Sequence, residues 1–408
     1  MRSKNSNPRR SKSKKFVVWM MILALFGCIT IISHYVYSTI VNHHESLTEN
    51  KEDIKSSEDK SPVKKPENTS DDKPIDKPID KPIVKPPVKK PEVKPVTETT
   101  IKVSAAGDFT IGTDENFYFT GSFVDEANKH GLDHFVKRLD NIFKQDDFTT
   151  VNLETALTKA TKKAVKKFRF KGDPSYAKIL TFGGIEAVNL ANNHSHDYLQ
   201  KGYEDTINSL QKQKIGYFGY NDSYVTTVKG IIIGALGYEG WNDSPELRVK
   251  INNDIQRLRK AGAKIVLINF HWGIERVYVP NQTQKNLAHY AIDHGADLIV
   301  GHHPHVVQGI EEYKGKFIAY SLGNFMFGGN KNPSDKDTFV FQQTFHFKNN
   351  TLTNQKQIKV VPFSVSSVSY RNNYQPMLLK GSEAKRVKNK IIQVSNKING
   401  SAWTKYEK

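Results

Sequence analysis

Short apolar runs recur along residues 101–320 with helical stretches between them. Ile101–Ala105, Thr150–Leu153, Glu186–Leu190, Ile231–Leu236, Lys264–Asn269, Asp297–Val300 and Phe317–Tyr320 are rich in β-branched residues and lack period-two polarity. That pattern predicts strands buried on both faces. Asp205–Lys212, Asn252–Ala261 and Gln282–His294 have helical composition and spacing. The alternation predicts an α/β domain. Further on, Val387, Ile391, Val394 and Ile398 fall at helical spacing within a basic stretch, Glu383–Ile398. This predicts an amphipathic helix that docks on the domain rather than on a membrane.

The N-terminal part follows other rules. Arg2, Lys4, Arg9, Arg10, Lys12, Lys14 and Lys15 stand without an acid among them, and Phe16 to Ser33 then runs eighteen residues without a charge. At about 1.5 Å per residue this covers most of a bilayer core of roughly 30 Å. The basic flank predicts a cytoplasmic N-terminus and an extracellular remainder on a single-pass anchor in the cell membrane. A cleaved leader would need small residues after the apolar run, and none follow. Leu25-Phe26-Gly27-Cys28 only faintly resembles a lipoprotein box, so Cys28 is read as a small apolar residue in lipid. From Asn42 to Thr100 the chain is poor in aromatic residues and repeats Lys-Pro-Ile from Lys73, Lys77 and Lys81. Such a segment cannot bury a core, and its prolines favour an extended tether. The expected organisation is a basic tail over 1–15, a transmembrane anchor over 16–41, a disordered Pro/Lys-rich linker over 42–100, a folded domain over 101–375, and a basic helix and tail over 376–408.

Charge sharpens this picture. Of the formal +18, residues 1–15 carry +7 and residues 42–100 carry −1, which leaves +12 on residues 101–408. An anionic partner outside the cell follows, whether polymer, wall component or lipid head group. Nucleic acid is not expected, because no binding motif for it is present and the anchor puts the domain outside the cytoplasm. The single Cys excludes an internal disulfide and thiolate-ligated metal sites.

The polar residues cluster where the predicted strands end. Asp108, Asn152, Glu154, Asn192, Asn193, His194, His271, His302, His303 and His305 all follow such runs. In α/β sheets the strand ends converge on one edge, where sites are built. Taken singly, each is as well explained by capping of a turn. Together, carboxylates, carboxamides and imidazoles form a set suited to one or two divalent ions, Mn, Fe, Zn or Mg. A basic run, Lys159, Lys162, Lys163, Lys166, Lys167, Arg169 and Lys171, has no acid before Asp173 and interleaves Phe168 and Phe170. Its plain reading is a solvated face. The functional reading makes Lys162, Lys163, Lys166, Lys167 and Arg169 a loop that holds an anionic polymer.

Ala106-Gly107-Asp108, Asn152-Leu153-Glu154, Leu190-Ala191-Asn192-Asn193-His194, His271-Trp272-Gly273, Gly301-His302-His303-Pro304-His305-Val306 and Ser321-Leu322-Gly323-Asn324-Phe325 resemble, in order, the signature blocks of the bacterial capsule-synthesis CapA family. The resemblance implies a membrane-anchored, extracytoplasmic subunit of poly-γ-glutamate synthesis and export. Its implied partners are a cytoplasmic amide ligase and a small membrane subunit. It also implies a domain similar to the calcineurin-like metallophosphoesterases, a four-layer αββα sandwich. By motif, Asp108, Glu154, Asn193, His271, His303 and His305 then match metal ligands, with Glu154 near the bridging position. His194, beside Asn193, matches the catalytic acid. Two departures stand out: Asp108-Phe109-Thr110 lacks the histidine of Asp-x-His, and Asn152-Leu153-Glu154 replaces a Gly-Asp block. Leu199 stands where the capsule family usually has Gly, and Ser321–Phe325 reads as turn architecture. Three functions fit this pattern: polymer handling in capsule assembly, hydrolysis of envelope phosphate esters, and a binding scaffold without catalysis.

Overall fold

The computed structural model describes residues 96–408, and the expected tail, anchor and most of the tether lie outside the described residues. Among the described residues no helix is long and apolar enough to cross a membrane. The fold is mixed α/β and rich in sheet. One sheet runs, edge to edge, Met377–Leu378, Thr351–Ser364, Asp337–Lys348, Glu98–Thr110, Phe148–Leu153, Ala187–Asn189 and Gly216–Phe218, with Asn324–Phe327 beside the end of Glu98–Thr110. The other runs Ile310–Tyr313, Lys316–Ala319, Leu298–His302, Ile265–Trp272, Ile231–Gly240 and Tyr224–Val228. Its four inner strands are parallel, so their C-terminal ends share one edge.

Three apolar layers hold these sheets. Ile101, Val103, Phe341, Val360, Ile233, Leu267 and Val300 meet between them. On the outer face of the first sheet, Val151, Val188 and Val340 pack with Phe123, Phe135, Ile179 and Leu180. On the outer face of the second, Val266, Ile268 and Ile299 pack with Ile251, Ile255, Leu258 and Leu287 of the helices Pro245–Lys260 and Gln282–Asp293. The helix Gly381–Asn396 buries Val387 and Ile391 in the inter-sheet layer, beside Trp403. Its Arg386 grips both oxygens of Asp337 at 2.7 and 2.8 Å.

Two features of the central strand Glu98–Thr110 place the site. Its register against Phe148–Leu153 shifts between Ala105 and Asp108, a bulge of the kind that re-aims a side chain. A Cβ on Gly107 would stand 1.8 Å from the carbonyl oxygen of Gly323, so only glycine admits the Ser321–Phe325 segment here. That close approach lets the Asp108 amide donate to the Gly323 carbonyl at 3.0 Å.

Candidate metal centre

Asp108, Asn152, Glu154, Asn193, His194, His271, His303 and His305 converge at the strand ends of both sheets. Glu154 is fully buried, and neither of its carboxylate oxygens has a hydrogen-bond partner. Three imidazoles face Glu154 Oε1: His271 Nε2 at 3.6 Å, His194 Nε2 at 3.9 Å and His305 Nε2 at 4.0 Å. Asn193 Oδ1 stands 2.8 Å from His271 Nε2. Two ligand sets result, Glu154 with His271 and His303, and Asp108 with Glu154 and His305; within each, the ligand atoms lie within 4.8 Å of one another. Glu154 belongs to both.

The residues present fit a cation. An ionised carboxylate buried without a donor is costly, and electron-pair donors pointed at one another repel unless a proton or metal lies between them. Burial pushes the Glu154 carboxyl well above its ordinary range, and the charge of Asp108 adds to this. Burial lowers His271 strongly and His303 to about 4, which keeps both rings neutral and able to ligate. For His305 burial acts downward, but the carboxylates of Glu154 and Asp108 lift it to about 9. For Asp108 burial acts upward and is outweighed by His302 and His305, which hold it well below the usual carboxylate range.

Surrounding residues orient these groups. Asn152 Nδ2 donates to Asp108 Oδ1 at 2.9 Å, while Asn152 Oδ1 accepts from Asn189 at 3.0 Å and Asn192 at 3.2 Å. His305 Nδ1 lies 3.2 Å from Asp108 Oδ2 and 2.8 Å from Asn324 Oδ1, an arrangement that turns Nε2 toward Glu154. His303 and His305 both have positive φ, 93° and 56°, conformations that non-glycine residues adopt at a cost and that gather at functional sites. His194 Nδ1 meets Asp197 Oδ2 at 2.6 Å. Burial lowers the His194 pKa, against the pull of Asp197.

Asp197, His302, Asn324 and Trp241 matter here in ways the sequence reading did not assign. His302 lies behind Asp108, Nδ1 to Oδ1 3.5 Å. Asn324 is not a turn residue but begins the strand Asn324–Phe327, which aims its side chain at His305. Trp241 stands edge-on over the His303 ring with centroids 4.7 Å apart. It follows the strand Ile231–Gly240, so the strand-end rule would have found it. Thr110, at the place of the missing histidine, has a buried hydroxyl without a partner.

The basic run divides. Lys166 Nζ donates to Asp197 Oδ1 at 2.7 Å and to the Asn193 carbonyl at 2.6 Å, so it is a strut of the site. Lys163 pairs with Glu115, and Arg169 lies 3.5 Å from the same carboxylate. Lys162 and Lys167 stay exposed. A cleft of about 530 Å³ opens beside His194 and His305, walled by Phe117, Phe168, Phe170 and Phe327.

Comparison with known proteins agrees with these blocks. The family model described as bacterial capsule synthesis protein PGA_cap matches residues 102–329. Capsule biosynthesis protein CapA of Bacillus anthracis is 28% identical over 305 residues, 68% of this chain and 71% of the relative. PGA biosynthesis protein CapA of Bacillus subtilis (strain 168) is 32% identical over 233 residues, 51% of this chain and 60% of the relative. The strand ends that carry Asp108, Glu154, Asn193, His271, His303 and His305 all lie inside the matched span, and the chain belongs to the bacterial capsule synthesis protein family PGA_cap.

Proposed function

We propose that this chain is a membrane-anchored, extracytoplasmic subunit of poly-γ-glutamate capsule synthesis or export, which handles the anionic polymer at a metallophosphatase-like site on a four-layer αββα framework. Its partners in this reading are the polymer, its ligase and a small membrane subunit. The observation that carries it is the Glu154 carboxylate, buried without a donor and faced by three imidazoles, in a chain whose relatives are capsule proteins.

When bound, one or two divalent ions, Mn, Fe, Zn or Mg, supply Lewis acidity toward a phosphoryl or carbonyl oxygen and a more acidic water. Asp108, Glu154, Asn193, His271, His303 and His305 would hold them. Asp197 accepts from Nδ1–H of His194 and so turns Nε2 toward the centre, where the doubly protonated ring would give a proton to a leaving oxygen and the neutral ring would accept one. Phe170 and Phe327 wall the approach to His194 and His305 and reduce access of bulk water.

The His194–Asp197 pair favours a second reading, a metal-dependent phosphodiesterase acting on envelope phosphate esters, because an oriented proton donor is superfluous in a scaffold. The test uses the full chain. Elemental analysis of the purified protein should find a stoichiometric divalent ion, and a strain carrying His303→Ala with His305→Ala should export the protein but lose capsule. A strain that keeps capsule while losing phosphodiester turnover establishes the second reading instead. No bound ion, with capsule intact, leaves a scaffold.

A further inference from the structure

The cleft at the metal centre is poorly suited to gripping a polyanion by itself. Its walls are aromatic, and its Arg276 and Lys331 are matched by Glu275 and Asp335. Lys331 is further engaged by the carbonyls of Tyr118 and Thr120. The far end of the same sheet is different.

Across the three strands Glu98–Thr110, Asp337–Lys348 and Thr351–Ser364, Lys102 is in register with Thr344 and Thr344 with Gln357. One step along, Ser104 is in register with Gln342 and Gln342 with Lys359. Alternation puts all six on one face, because Ile101, Val103, Phe341, Phe345, Ile358 and Val360 take the inter-sheet side. Further along the sheet this outer face is apolar and covered, through Val340, Val361 and Phe363. Here it is polar and forms the floor of a hollow of about 280 Å³.

Lys102, Lys359 and Lys408 line that hollow against one acid, Asp140. None of the three ammonium groups meets a carboxylate among the described residues, and Lys102 Nζ reaches only the Gln145 carbonyl at 3.4 Å. Gln342 Nε2 donates to Ser104 Oγ at 2.9 Å, and Gln357 Oε1 faces His346 Nε2 at 3.2 Å. This leaves the Gln342 carbonyl as an acceptor and the Gln357 amide as a donor for something else. Lys359 and Lys408 also line a second hollow of about 600 Å³, where Lys388 is already paired with Glu407 at 2.6 Å.

Ammonium groups in register with carboxamides match a chain that carries carboxylates and secondary amides in alternation. A phosphate polyanion would use the ammonium groups and leave the carboxamide donor–acceptor pair idle. We infer that this groove is a second polymer-holding site that takes a carboxylate-bearing polyamide, built on the cross-strand array of Lys102, Thr344, Gln357, Gln342 and Lys359. It is separate from the metal centre, since Lys102 precedes Asp108 by six residues of one strand, about 20 Å. The inference rests on the proposed reading that the chain handles such a polymer. Its role is to anchor the chain at a distance while the cleft addresses one position along it.

The test is a titration of the full chain in detergent with a fluorescent γ-linked glutamate oligomer, with metal content measured in parallel. Lys102→Gln with Lys359→Gln should weaken binding by about fivefold to tenfold, from two partly exposed ion pairs, and leave bound metal unchanged. The corresponding Lys→Arg double variant should bind like the wild type. Lys178→Gln with Lys212→Gln, exposed lysines on helices outside the groove, should have no effect. If that control loses as much as the groove variant, the effect is bulk charge and the site is rejected. Unchanged binding by the groove variant overturns the groove and spares the proposed function. A wild type that binds no oligomer overturns both. Inorganic polyphosphate competing as well as the oligomer overturns the ligand class.

Discussion

Asp197 and Glu154, both buried, and Glu186, half-buried, are carboxyl groups that the fold treats in three ways. Asp197 receives Lys166, His194 and the Phe170 amide at 2.7, 2.6 and 2.6 Å, so its charge is fully compensated. Glu154 receives no hydrogen bond among the described residues, and a proton or a cation would have to neutralise it. Glu186 accepts from the Thr149 amide at 2.7 Å, yet burial pushes it up to about 7, and burial likewise lifts Asp146 to about 6. Between the ordinary glutamate range and pH 7 the folded protein therefore binds more protons than the unfolded chain, and stability falls as pH rises through that window. Above it the loss is complete and constant. Glu186→Gln should leave stability near pH 4.5 almost unchanged and raise it at pH 8. Denaturation midpoints at the two pH values check this, and an equal shift at both would reject it.

Elements carry the next level. The helix Leu199–Lys212 begins on Leu199 with φ 56°, a left-handed conformation that a side chain with a Cβ adopts at a cost of about 1–2 kcal/mol. This explains physically why glycine suits the position after Tyr198. Glycine also loses more freedom on folding, about 0.5–1 kcal/mol, so Leu199→Gly should gain roughly 0.5–1 kcal/mol net in chemical denaturation. The Leu199 side chain is 44% exposed, so little packing is lost. A lower midpoint would show that its contacts outweigh the strain.

The parallel strands and their helices were legible because burial on both faces leaves unbroken apolar runs. The hairpin Asp337–Lys348 and Thr351–Ser364 was not legible, since Gln342, Gln343, Thr344, Gln355, Lys356 and Gln357 interrupt its apolar positions. Three of those interruptions, Gln342, Thr344 and Gln357, form the polar groove floor. The residues that converge at the candidate site were legible as strand-end residues, and the same rule reaches Trp241 after Ile231–Gly240, whereas Asp197 depends on a loop whose path only the packing reveals. Lys166 shows the limit of charge counting: a basic run marks cations, but a partner 31 residues away, Asp197, decides which of them are free.

At the scale of the molecule, the net +12 of residues 101–408 is not spent at the metal centre. The cleft there is balanced in charge and aromatic, and ammonium groups that meet no carboxylate among the described residues lie at the far end of the first sheet. The two ends of the first sheet thus differ, with the candidate centre at one and the free cations at the other. That separation predicts a polymer affinity that falls with salt while ion retention does not, because screening acts on exposed charges and much less on buried ligands.

One side chain, finally, couples the two ligand sets. Glu154 stands in both, so they are not independent receptacles: losing that carboxylate dismantles the pair, whereas losing His305 damages one and leaves Glu154, His271 and His303 in place. Ion counts on purified variants should therefore drop to none in Glu154→Gln and stop at one in His305→Ala. A Glu154→Gln protein that still keeps an ion would mean that the shared carboxylate is dispensable. With the expected counts, evolution of this centre toward a single-ion form has an easy route through His305 and none through the shared glutamate.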